Sequence, residues 1–110
     1  MPLYLTHFQY TPEPVEGLIE GPRERADTFR AAAEALGARM ISLYYTFGNN
    51  AGIVLFEAPD EGAAMAVLQS PSVARSMRVT RTTTLLTAQQ MEEEVMRKWS
   101  MGPARGKERR

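Results

Sequence analysis

Cysteine is absent from the chain, which excludes disulfides, thiolate nucleophiles and Cys-ligated zinc or iron–sulfur centres. Histidine occurs once, as His7, so a closed zinc site would need three carboxylates or ligands from two chains. No metal and no cofactor is expected. No uninterrupted apolar run approaches the roughly 20 residues that cross a bilayer, and the opening MPLYLTHFQY lacks the basic stretch followed by an apolar one that marks a secretory leader. The expectation is a soluble, cytoplasmic protein without membrane contact. An excess of charge of either sign is also missing, since 13 Lys+Arg balance 13 Asp+Glu. The balance is uneven along the chain: residues 100–110 carry Arg105, Lys107, Arg109 and Arg110 against Glu108, a net of +3 that leaves −3 on the remainder. A mildly acidic body does not attract phosphate backbones, so nucleic-acid binding is not expected outside that tail.

What is present is enough for one domain, large enough for a single core and small enough to gain from a partner subunit. Met40 to Phe47 and Ile53 to Ala58 are short runs dense in β-branched, aromatic and long apolar side chains, and they read as strands. Between them Gly48, Asn49, Asn50 and Gly52 are residues that enter positive φ at little cost, as a hairpin reversal demands.

Leu3 to Tyr10 reads as the first strand, with Tyr4, Thr6, Phe8 and Tyr10 on one face and Leu3, Leu5, His7 and Gln9 on the other. Thr11 and Pro12 can open a short helical turn with Val15, Leu18 and Ile19 on its apolar side. A longer helix follows from Pro22, with Ala26, Phe29, Ala33 and Leu36 on one stripe and Gly37 as its stop. Asp60 caps a second helix that turns Ala64, Val67 and Leu68 inward until Pro71. Ser76 to Leu86 suits a last strand, and Thr87 with Gln90 forms a capping box for a C-terminal helix carrying Met91, Val95 and Trp99. Residues 1–99 are thus one domain, and 100–110 a basic tail too poor in apolar residues to fold. The order β-α-β, β-α-β, α predicts an α+β fold of the ferredoxin-like βαββαβ kind, a four-stranded antiparallel sheet with two helices on one face.

Two helices cover one face of such a sheet, and the other should then be polar. Instead both faces are apolar: Tyr4, Phe8 and Tyr10 oppose Leu3 and Leu5; Ile53 and Leu55 oppose Val54 and Phe56; Met40 and Tyr44 oppose Ile41, Leu43, Tyr45 and Phe47. A bare patch of several hundred Å² is of the size that marks an interaction site. A homodimer through the sheet face covers it most simply, and the C-terminal helix folded over its own sheet is the competing arrangement.

The segments MPLYLTHFQYTPEPVEGLIEG, ALGARM, YYTFG, the Pro59-Asp60 pair and RTTTLLTAQQM resemble, in order and spacing, the GYD domain family over about Pro2 to Met96. The resemblance implies a ferredoxin-like chain of the dimeric α/β-barrel type, in which two sheets face each other around an inner space, from a family of small bacterial proteins without an established activity. The Gly-Tyr-Asp stretch for which the family is named is altered. Phe47 and Gly48 fit it, but Asn50 and Ala51 stand where the tyrosine and aspartate would be, and Gly52 where a β-branched residue is usual. No phenol or carboxylate acts from those positions.

His7 is the candidate for a general base, a metal ligand or an axial haem ligand, against a histidine merely packed between sheets, which is the stronger reading. Tyr4, Tyr10, Tyr44 and Tyr45 could line a pocket for a small apolar or aromatic ligand, with Arg81, Thr82 and Thr83 as polar anchors; packing is the plainer role for these rings. Sheet aromatics also suggest RNA stacking, but GIVLFEA carries no lysine or arginine for that purpose. Gly48, Asn49 and Asn50 are most simply turn formers. Three functions remain open: a homodimeric small-molecule-binding or accessory protein, a cofactor-free monooxygenase or isomerase using His7 with a nearby tyrosine, and a structural assembly module.

Overall fold

The computed structural model describes residues 1–11 and 21–101. The short turn expected from Thr11 to Ile19 lies outside them beyond Thr11, as does the basic tail expected over 100–110 except for Ser100 and Met101, which end the last helix. Eight elements follow in order: β1 (Leu3–Gln9), α1 (Pro22–Ala35), β2 (Arg39–Thr46), β3 (Ala51–Glu57), α2 (Glu61–Gln69), α3 (Pro71–Ser76), β4 (Arg78–Leu85) and α4 (Ala88–Met101). The strands form one antiparallel sheet in the order β2-β3-β1-β4. This is an α+β fold with the ferredoxin-like arrangement.

Local chemistry accounts for the element ends. Asp60 caps α2 by accepting from the Ala63 N–H at 2.8 Å, and Gly37 ends α1 at φ 77°, where a Cβ would be strained. Pro71 does more than stop α2: with no N–H to lose at a first helical turn, it begins the short α3. The last strand therefore starts at Arg78 rather than Ser76. At the β2–β3 turn the positive φ angles fall on Gly48 (94°) and Asn50 (50°). Gly52 is not part of that turn. It sits in β3 between Phe8 and Tyr45 of the flanking strands, where an added Cβ would lie 2.5 Å from the Phe8 ring and from the Tyr44 carbonyl.

The core lies between the sheet and helices α1, α2 and α3. Tyr4, Thr6 and Phe8 of β1, and Val54 and Phe56 of β3, are buried there against Phe29, Ala33, Ala64, Val67, Leu68, Val73 and Met77. Phe56 stands at the centre, stacked on Tyr4 at 5.5 Å between ring centroids and edge-on to Phe29 at 5.3 Å. The buried stripe of α1 is Arg25, Phe29 and Ala33. Leu36 is exposed at the helix end and is not part of it.

Two β-bulges correct the strand faces read from strict alternation. In β2 the register shifts between Met40 and Ser42, so that Met40, Leu43 and Tyr45 pack on the core while Ile41 is exposed. In β4 the shift opposite His7/Phe8 turns Val79 to the core, whereas Arg81 pairs with His7 on the other face. An extra residue in one strand of a pair inverts every side chain beyond it.

Candidate functional site

The sheet face away from the helices carries four rows of side chains, each crossing all four strands. Directly paired residues of an antiparallel ladder share a face, and the pairing gives Thr46–Ala51–Gln9–Arg78, then Tyr44–Ile53–His7–Arg81, then Ser42–Leu55–Leu5–Thr83, then Arg39–Glu57–Leu3–Leu85. The central strands place Leu3, Leu5, Ile53 and Leu55 in the middle, all partly buried by their neighbours. Polar and aromatic groups flank them: Tyr44 on β2, Arg81 and Thr83 on β4. No described helix packs on this face, and α4 makes no substantial contact with the other elements. Its apolar residues Met91, Val95, Met96 and Trp99 are all exposed.

His7 sits within the second row. Arg81 Nη2 lies 3.4 Å from His7 Nε2, and because a guanidinium only donates, a hydrogen bond there has Nε2 as its acceptor. His7 Nδ1 is itself buried without a hydrogen-bond partner among the described residues. Arg81 makes no ion pair among the described residues. The Nε2 lone pair, the one a proton or a haem iron would take, therefore faces a guanidinium. The arrangement suits recognition of an acceptor-bearing ligand by Arg81 better than proton abstraction by His7. Among the described residues no three histidine or acidic side chains are grouped to hold a metal.

The seven lining and anchor residues expected from the sequence are thus divided between the two faces. Tyr44, Arg81 and Thr83 share the open face with His7. Tyr4, Tyr10 and Tyr45 are on the helix side: Tyr4 is buried in the core, and Tyr10 and Tyr45 pack beside it with rings edge to face at 5.4 Å. The Tyr45 hydroxyl donates to the Pro22 carbonyl at 2.8 Å. Burial pushes the Tyr4 phenol pKa above its ordinary value, and the carboxylates of Glu61 and Asp60 push in the same direction. Thr82 also falls on the helix side, its hydroxyl 2.9 Å from that of Thr6. Gly48, Asn49 and Asn50 build the turn, where Asn50 O accepts from the Tyr10 N–H at 3.0 Å and Asn49 Oδ1 accepts from the Thr46 hydroxyl.

Arg25 is the residue that sequence patterning overlooks. It is buried, donates to the Ser76 carbonyl at 3.0 Å and the Tyr45 hydroxyl at 3.2 Å, and lies over the Tyr10 ring at 4.4 Å. Its spacing of four and eight from Phe29 and Ala33 was the available signal. Arg25 ties α1 to α3 and β2, so it braces the scaffold behind the open face.

Two comparisons bear on these features. The family model of the GYD domain matches residues 4–95, most of the chain. No curated protein matches it.

Proposed function

The chain belongs to the GYD domain family, and from that premise we propose that it works as a homodimer holding a small apolar or aromatic molecule between two sheet faces turned toward each other. One observation carries this reading: the open face sets an apolar centre, Leu3, Leu5, Ile53 and Leu55, between the guanidinium and hydroxyl of Arg81 and Thr83 at one edge and the Tyr44 phenol at the other. A mostly apolar surface with a few polar groups around it is the usual make-up of a small-molecule site once a second wall closes it. Covering such a face also favours association, at roughly 25 cal/mol per Å² of apolar surface removed from water.

Native mass spectrometry of protein purified from its own host tests the reading. The expected result is a mass of two chains plus a small retained molecule, with the added mass lost in Arg81→Ala and Tyr44→Ala variants that remain dimeric. Dimers that never carry added mass, from any preparation, would turn the proposal toward a purely structural assembly.

A further inference from the structure

Of the eleven large apolar side chains exposed among the described residues, eight fall into two groups, while Met1, Leu36 and Met65 lie elsewhere. Ile41, Tyr44 and Phe47 lie along β2 and its turn, and Leu86, Met91, Val95, Met96 and Trp99 lie on α4 and the link into it. Those two segments attach to opposite edges of the sheet, β2 at one and β4 at the other. Trp99 is 71% exposed, Tyr44 58% and Ile41 41%. Helix α4 cannot rest on its own propensity, since an isolated helix of about 14 residues is marginal in water and needs an apolar surface to pack on. Its start is firmly set: Thr87 Oγ1 accepts from the Gln90 N–H at 3.0 Å and Gln90 Oε1 accepts from the Thr87 N–H at 2.8 Å. With only Leu86 and Thr87 between it and β4, the helix is launched from the β4 edge.

Two sheets stacked face to face can be related by a two-fold axis along the strands or across them. Along the strands, β4 of one copy lies over β2 of the other; across them, β4 lies over β4. The second arrangement would bring together two copies of Arg81, a cation with no ion pair among the described residues, at a repulsive cost. The first brings the base of α4 to the β2 edge of the partner, where the other exposed apolar group waits. We infer that α4 of each copy docks on the β2 edge of a second copy, packing Met91, Val95 and Trp99 against Ile41 and Tyr44, and so walls the side of the space between the sheets. This rests on the dimer proposed above and adds to it that the chamber is incomplete without the partner's helix.

The absence of native cysteine makes crosslinking a clean test. Chains carrying Ile41→Cys alone and Val95→Cys alone are mixed, allowed to exchange and oxidised; a disulfide-linked heterodimer is expected, several-fold above that formed when Val95→Cys is mixed with Met65→Cys on exposed α2. A doubly substituted chain that instead closes within itself, with no linkage in the mixture, would overturn the inference. In unmodified protein Trp99, the only tryptophan, is expected to be several-fold less quenched by iodide in the dimer than in unfolded chain. Sedimentation separates the two levels. A dimer with freely quenched Trp99 and no mixed linkage contradicts the docked helix alone, whereas a monomer contradicts the dimer as well.

Discussion

Gly52 shows how one missing side chain fixes the meeting of three strands. Phe8 fills the space its Cβ would need, and the Tyr44 carbonyl oxygen would lie equally close to it, at 2.5 Å. The ring could shift, but the carbonyl belongs to the ladder and cannot. Gly52→Ala is therefore expected to destabilise the fold by about 1–3 kcal/mol, the cost of overpacking, read as a lower urea midpoint with an unchanged slope. Tyr4 makes a second residue-scale claim. Its folded pKa is raised by burial and by Glu61 and Asp60, so above the ordinary tyrosine pKa the unfolded chain gives up this proton before the folded one does. The folded state then binds more protons and loses stability as pH rises. Between pH 9 and 11 the wild type should lose stability more steeply than Tyr4→Phe in chemical denaturation, and parallel curves would contradict this origin. Arg25 explains why the core was only partly legible at this scale. Phe29 and Ala33 announce themselves by spacing, but a cation one turn earlier reads as solvated until Ser76, Tyr45 and Tyr10 are known to surround it.

At the scale of elements, the strands, the principal helices and their caps were readable because each is set by neighbouring residues. Asp60 and the Thr87/Gln90 box are contacts within three residues, and the turn residues Gly48 and Asn50 take the positive φ angles that their chemistry allows. The faces of β2 and β4 were not readable, because a bulge depends on the partner strand. Its position at Met40/Ser42 and opposite His7/Phe8 decides whether Tyr44 and Tyr45, or Val79 and Arg81, look toward the helices. That is why the expected tyrosine pocket divided into a core group and an open-face group. The capping box gives the element-scale prediction. Thr87→Ala removes the acceptor for the Gln90 N–H and should cost about 0.5–2 kcal/mol of helix stability, seen as lost helical circular dichroism from α4 while the sheet signal stays.

At the scale of the whole molecule, the fold consumes one face of the sheet and leaves the other. Helices α1, α2 and α3 bury Tyr4, Phe8, Val54 and Phe56, while the rows centred on Leu5, His7, Ile53 and Leu55 have no cover in the described chain. This surplus was visible in the sequence as strands apolar on both sides. Which charges and rings lie beside it was not, since that follows from register. Sedimentation equilibrium of the purified chain at micromolar concentration is the most direct measurement of what the open face does. The expected result is the mass of two chains, reduced to one by Leu5→Asp or Ile53→Asp in the middle of the face; a single-chain mass for the unsubstituted protein across the whole concentration range would contradict a sheet-to-sheet dimer.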